Sequence, residues 1–102
     1  MYDMQNVKRL KAVGESAPTA LEAFKQFDAA AMAEGAIPKK YKELIALAVA
    51  MTTQCPYCLE IHRKQAIAAG ATEAELAETV FIAAALRAGA AVTHGTHIAG
   101  ME

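Results

Sequence analysis

The sequence has no tryptophan, only two cysteines and three prolines, and a formal net charge of −1 at pH 7. Two cysteines are too few for the disulfide framework of a small secreted domain. A chain without a basic excess and with 6% aromatic residues gives no electrostatic reason to expect nucleic acid as a partner. The C-x-x-C spacing of the two cysteines instead favours a redox or metal motif in the cytoplasm.

Several kinds of segment are also missing. The first residues, MYDMQNVKRLK, lack the apolar core of a targeting peptide. The most apolar stretch, residues 80–92, contains Arg87 and falls short of the about 18 residues of a membrane span. No stretch alternates with period two for long, and β-branched residues are scarce. We therefore expect an all-α single domain over residues 1–102, without a membrane span.

Helical periodicity is what the sequence does contain, and it is clearest in the middle of the chain. Residues 39–52 carry apolar side chains at helical spacing and follow Pro38, which suits a first helical turn. A second helix is predicted from the cysteines to Gly70, a residue that commonly ends helices. Thr53 and Gln54 are then the turn, so we expect a central antiparallel helix pair.

Two helices are predicted before this pair. A short amphipathic helix is expected to end at Gly14, and Ser16 is expected to cap the next helix, which stops at Gly35. The apolar stripe of that second helix predicts a packing face in the core, with Phe24 and Phe27 as its largest members. The alternative is that these two rings wall a pocket over Cys58.

The last long helix is predicted to open with a capping box formed by Thr72 and Glu75. From residue 80 to residue 92 it is small or apolar on nearly every side, so it is expected to be covered all round at the centre of the subunit or of an oligomer. His94 before the stop residue Gly95 suits the helix dipole. The lysines at positions 39, 40 and 42 are interpreted as a solvated helix face.

The candidate functional residues are Glu43, Cys55, Cys58 and His62. Helix positions three and four apart share a face, so Cys58 can touch both Cys55 and His62. In an antiparallel pair, Glu43 lies within about one turn of His62. Two thiols at this spacing can close a disulfide ring or share a metal, and a carboxylate that orients an imidazole beside a thiol is the arrangement of assisted thiol catalysis.

The spacing of Glu43, eleven residues, Cys55-Pro-Tyr-Cys58, three residues and His62 resembles the motif of AhpD-like alkylhydroperoxidases in the carboxymuconolactone decarboxylase superfamily. The run AAALRAGAAVTHG resembles the helix that follows in that family, and the likeness covers roughly residues 20–95. The resemblance implies a thiol-dependent peroxidase in which Cys58 attacks a hydroperoxide and Cys55 resolves it as a disulfide. It also implies that Glu43 and His62 relay protons.

The resemblance further implies that no cofactor is needed beyond the redox-active Cys55–Cys58 disulfide. The implied partners are an external dithiol donor of the lipoyl or thioredoxin type, a peroxiredoxin, and other copies of the chain in a homo-oligomer, either a trimer or a hexamer. The chain departs from the family pattern at Tyr57, where the best-known members have a histidine. This departure bears on substrate choice and on proton transfer.

Four alternatives stand beside the peroxidase. The tetrapeptide alone resembles a glutaredoxin site, which would make Cys55 the nucleophile of a general disulfide oxidoreductase, but such sites follow a β-strand. A zinc site would combine Cys55, Cys58 and His62 with His94 or His97. A lactone decarboxylase belongs to the same superfamily, whose decarboxylating members generally lack the paired cysteines. In the fourth alternative, the two cysteines are inert core residues.

Overall fold

The fold consists of helices alone in residues 2–101, the part of the chain that this computed structural model describes. The prediction of an all-α protein is confirmed. A 3-10 helix over Met4–Arg9 leads into five α-helices, and a second 3-10 helix follows over Gly95–His97. The α-helices are α1 (Leu10–Ser16), α2 (Pro18–Met32), α3 (Lys39–Thr53), α4 (Pro56–Ala68) and α5 (Glu73–His94).

The centre of the fold is the pair α3 and α4, which reverses direction within two residues. Gln54 adopts the left-handed conformation, with φ 58° and ψ 49°, and its N–H donates to the carbonyl of Ala50. The N–H of Cys55 donates to the same carbonyl at 3.0 Å. Thr53 ends α3, so the turn begins one residue later than predicted. The predicted helix pair is otherwise confirmed, and it places the first cysteine at the N-terminus of α4.

Helix α5 packs on α3 and begins where the capping box predicts. The Thr72 hydroxyl accepts from the Glu75 N–H at 3.1 Å, and the Glu75 carboxylate accepts from the Thr72 N–H at 2.8 Å. The helix runs from Glu73 to His94, between the predicted cap at Thr72 and the predicted stop at Gly95. Residues 73–97 are long and apolar enough, by length and composition only, to cross a membrane, so the apolar segment is longer than the residues 80–92 identified from the sequence. Mostly buried core helices of soluble proteins pass the same test, whereas 11% of the tested window is buried in this single chain.

The N-terminal region departs from the sequence-based expectation. Helix α1 continues through Gly14 to Ser16, so Ser16 ends one helix instead of capping the next; Ala17 is the N-cap of α2 and provides no side-chain hydrogen bond. The prediction that Phe24 and Phe27 lie in the core is wrong for the single chain, because these side chains are 60% and 71% exposed. Helix α2 makes few contacts with α3, so its apolar stripe has little to pack against.

The three lysines near the start of α3 are partly exposed, as a solvated face requires, but each also binds a group of another element. Lys39 donates to the Met32 carbonyl at 2.8 Å, and Lys42 donates to the carbonyls of Ala31 and Ala33. These bonds satisfy backbone acceptors at the C-terminal end of α2, where no helical partner remains. Lys40 pairs with Glu75 at 2.9 Å and joins α3 to α5.

The single chain leaves an unusually large surface uncovered. It exposes 7704 Å², whereas a compact monomer of its mass exposes about 5,500 Å². Its radius of gyration is 17.1 Å, against about 13 Å for a compact domain of this length. The exposed side chains include large apolar ones on α5, which is therefore not covered within the subunit: Phe81, Leu86 and Val92.

Replacing Thr72 by Ala tests the capping box. The variant removes the oxygen that accepts the Glu75 N–H, so we expect the free energy of unfolding to fall by about 1 kcal/mol. Thermal or denaturant unfolding at a fixed protein concentration measures the change. Thr72→Ser keeps the hydroxyl and should stay close to the wild type, and equal losses in the two variants would show that the hydrogen bond is not the cause.

Candidate active site

The two cysteines form one hydrogen-bonded unit at the N-terminus of α4. Cys55 is the N-cap residue, Pro56 occupies the first turn, and the N–H of Cys58 donates to the Cys55 sulfur at 3.3 Å. The two Sγ atoms lie 2.6 Å apart, and both cysteines are free thiols. The predicted contact between these residues is confirmed, and the backbone of the first helical turn orients it.

The two thiols differ in their tendency to ionise. Hydrogen bonds from the Cys58 thiol and from the Cys58 N–H lower the pKa of Cys55. The hydrogen bond to Cys55 and, next, burial raise the pKa of Cys58 to about 11. A thiolate at a helix N-terminus is further stabilised by the helix dipole. Of the two thiols, Cys55 is therefore the one whose ionisation its surroundings favour.

Glu43 is the buried anchor of the site, with none of its side chain exposed. Its Oε2 lies 2.7 Å from Nδ1 of His62, and its Oε1 lies 3.0 Å from Nζ of Lys39. With its amide nitrogen facing inward, Gln65 donates to Oε1 at 2.9 Å. The predicted contact between Glu43 and His62 is confirmed. Because Nδ1 is engaged by the carboxylate, Nε2 is the imidazole nitrogen left for proton exchange.

A cavity of about 780 Å³ lies between α2, the N-terminal segment and α4. Cys58 and His62 both open into it, whereas Cys55 is not part of its lining. Phe24 is part of the lining of this cavity. The alternative that this ring walls a pocket over Cys58 is therefore confirmed for Phe24. The rest of the lining is mainly apolar and includes Val7, Leu10, Met32 and Ile61.

Tyr57, the residue directly before the second cysteine, is held by contacts with the first residues of the chain. Its hydroxyl accepts from Nδ2 of Asn6 at 2.9 Å, and the ring of Tyr2 meets its ring edge-on with centroids 5.1 Å apart. The Tyr2 hydroxyl donates to Glu60 at 2.6 Å, a bond that raises the pKa of Tyr2 to about 12. The N-terminal segment thus contacts the beginning of α4 through Tyr2 and Asn6.

Two further residues of the site, Lys39 and Gln65, were not among the candidates predicted from the sequence. Lys39 had a local signal, since it stands four positions before Glu43 on the same helix, a spacing that favours an ion pair. Gln65 had none, because its contact depends on the packing of α4 against α3. The histidines proposed as zinc ligands, His94 and His97, meet edge-on with ring centroids 4.8 Å apart.

The zinc alternative requires these histidines to join the cysteines. Within residues 2–101, no three His, Cys, Asp or Glu side chains are grouped so that they could hold a metal ion. The four-ligand set considered from the sequence is therefore not assembled in this chain.

Comparison with known proteins places this site in a family. The model of the carboxymuconolactone decarboxylase family matches residues 18–100, and the chain belongs to that family. The chain is 41% identical, over 92% of its own length and 87% of the relative's, to the "Uncharacterized protein 4 in cox locus" of Paracoccus denitrificans. The range matched by the family model, residues 18–100, contains the positions of the candidate residues from Glu43 to His62.

Solved structures agree with this assignment. A carboxymuconolactone decarboxylase family protein from Legionella pneumophila, solved in its apo form, superposes with a TM-score of 0.77 and 32% identity, covering 90% of this chain and 82% of that one. A protein from Methanobacterium thermoautotrophicum superposes with a TM-score of 0.78 and 38% identity, covering 83% of this chain and 96% of that one. The superfamily expected from the sequence is confirmed.

The unequal thiols generate a prediction that needs no substrate. In Cys58→Ser, the remaining Cys55 keeps a backbone donor and a hydroxyl donor, so its thiolate should form at lower pH than that of Cys58 in Cys55→Ser. Thiolate absorbance near 240 nm, followed through a pH titration of each variant, measures both midpoints. Equal or reversed midpoints would contradict the hydrogen-bonding pattern described here.

Proposed function

We propose that this protein is a thiol-dependent peroxidase that reduces organic hydroperoxides through a Cys55–Cys58 dithiol–disulfide cycle. The observation that carries the proposal is the shared cavity. Cys58 and His62 open into one largely apolar space, and Glu43 holds the imidazole by Nδ1. A thiol, a base and room for an apolar substrate therefore meet at one place.

The first step requires a thiolate on Cys58, a thiol whose pKa is raised. The Cys58 proton passes to Nε2 of His62. The Cys58 thiolate then attacks one peroxide oxygen, the O–O bond breaks, and a proton from His62 neutralises the leaving alkoxide. The sulfur is oxidised to a sulfenic acid, and the peroxide is reduced to an alcohol.

The second step closes the disulfide. The Cys55 sulfur attacks the Cys58 sulfenic acid, the S–O bond breaks, and the oxygen leaves as water after taking a proton. An external dithiol must then reduce the Cys55–Cys58 disulfide by exchange. We propose a lipoyl-bearing or thioredoxin-like donor, with a peroxiredoxin as a further partner. The cycle belongs in the cytoplasm, where such donors keep thiols reduced.

A second candidate, a general disulfide oxidoreductase, is favoured by the lowered pKa of Cys55. In that reaction the Cys55 thiolate attacks a substrate disulfide, and Cys58 resolves the mixed disulfide. The cavity argues for the peroxidase, because the sulfur that opens into it is that of Cys58. The two functions assign opposite roles to the two cysteines, so trapping experiments separate them.

We also propose that the chain works as a homo-oligomer, a trimer or a hexamer. Its exposed area exceeds that of a compact monomer by roughly 2,200 Å², while a standard interface takes about 800 Å² from each partner. An apolar stripe on α5 that includes Phe81 and Val92, which are 73% and 77% exposed, supports this proposal. A second copy fits because the stripe is built of side chains that obligate interfaces bury.

The thiol roles are tested by exposing the reduced protein to an alkyl hydroperoxide and mapping its cysteines by mass spectrometry. The wild type should form a Cys55–Cys58 disulfide, and Cys55→Ser should accumulate a sulfenic acid on Cys58. His62→Gln should slow the oxidation of Cys58 by about 10²-fold or more, the usual contribution of a general acid–base. A stable sulfenic acid on Cys55 in Cys58→Ser, with an unreactive Cys55→Ser, would reverse the roles of the two cysteines.

Light scattering coupled to size-exclusion chromatography tests the assembly. The wild type should elute with three or six times the mass of one chain, and Phe81→Glu should shift the mass toward the monomer because it places a charge in the apolar stripe. Lys25→Glu, on the exposed surface of α2, is the matched charge control and should leave the mass unchanged. A monomeric wild type would contradict the proposal.

A further inference from the structure

Lys39 shares the buried carboxylate of Glu43 with His62, and this arrangement carries an inference about the base. An ionised carboxylate without exposure to water is costly unless cations and hydrogen-bond donors compensate its charge. Here Lys39 holds Oε1 at 3.0 Å, while His62 holds Oε2 at 2.7 Å. Gln65 adds a neutral donor to Oε1 at 2.9 Å. Two groups thus compete to neutralise one charge.

The protonation of the His62 imidazole depends on how far Lys39 already compensates the charge of Glu43. If His62 were the only cationic partner of Glu43, the buried carboxylate would hold it as imidazolium, which cannot accept a proton. An ammonium group on the other carboxylate oxygen offsets part of that charge. With Nδ1–H donated to Glu43, the lone pair on Nε2 is then left to accept a proton.

We propose that Lys39 is a positioning residue that keeps His62 available as a base, by supplying the positive charge that Glu43 would otherwise draw from the imidazole. This inference rests on the proposed function for its catalytic meaning, but the charge balance itself does not depend on any substrate. Lys39 also donates to the Met32 carbonyl at 2.8 Å, which ties its position to the end of α2.

The elements packed around the pair carry other titratable groups. On α2, Asp28 lines the same cavity as Lys39 and His62, and at the start of α4 hydrogen bonds lower the pKa of the Cys55 thiol. From α5, Glu75 is paired with Lys40. Arg87, also on α5, binds the Thr52 carbonyl. Among the residues described, Lys39 is the lysine bonded to Glu43, so its removal changes the charge balance most directly.

The test is an NMR titration of the His62 imidazole nitrogens in the reduced protein, without peroxide. In the wild type at pH 7.5, the nitrogen shifts should report a neutral ring with the proton on Nδ1. In Lys39→Met, the titration midpoint should move upward by at least about one pH unit, because a like charge near the imidazole has been removed. Lys39→Arg keeps the charge and should restore a midpoint close to that of the wild type.

Lys42→Met is the matched control. It removes the same charge three residues further along α3 and also loosens carbonyl contacts at the end of α2, but it does not touch Glu43. Its midpoint should stay at the wild-type value. An unchanged midpoint in Lys39→Met, or an equal shift in Lys42→Met, would overturn the proposal. An imidazolium in the wild type at pH 7.5 would overturn it even if Lys39→Met failed to fold.

Peroxidase assays separate this inference from the proposed function. If both hold, the acidic limb of the pH–rate profile should move upward in Lys39→Met by the same amount as the NMR midpoint. A midpoint shift in a wild-type protein that consumes no hydroperoxide would retain the role of Lys39 and remove the peroxidase. An active wild-type protein, with a midpoint that does not respond to Lys39→Met, would retain the peroxidase and remove the proposed role of Lys39.

Discussion

The fully buried carboxylate of Glu43 is the constraint on which the site depends. A charge in that position requires partners, and it obtains them from its own helix through Lys39 and from α4 through His62 and Gln65. These contacts tie α3 to α4 at a fixed register. Few other side chains of the single chain are buried. The polar cluster around Glu43 therefore fixes much of the relative position of the helices, a role that an apolar core has in other proteins.

The two thiols combine features that a single cysteine could not have together. The surroundings of Cys55 favour its ionisation, because it accepts hydrogen bonds from Cys58 and caps α4. Cys58 opens into the cavity, and its pKa is raised. Ease of ionisation and access to the cavity are thus divided between two sulfur atoms that lie 2.6 Å apart. His62, on the following turn of α4, lines the same cavity as Cys58.

The sequence predicted the parts of this structure that follow from local rules. The capping box of α5, the helix pair and the approach of Glu43 to His62 depend on spacing along a helix and on one tight turn. The positions of Phe24 and Phe27 were predicted wrongly because an apolar stripe shows that a face needs covering but not that the same chain covers it. Ser16 does not cap α2, because α1 continues through Gly14 and includes Ser16 as its last residue.

The contacts of Tyr57 have a consequence for how this sequence can vary. Asn6 and Tyr2 hold that side chain across more than fifty positions of the chain, so the three residues form one mutually dependent group. A histidine at position 57 would lose the hydroxyl that Asn6 recognises and the six-membered ring that Tyr2 meets. Among related sequences, the identity of the residue at position 57 should therefore covary with the residues at positions 2 and 6.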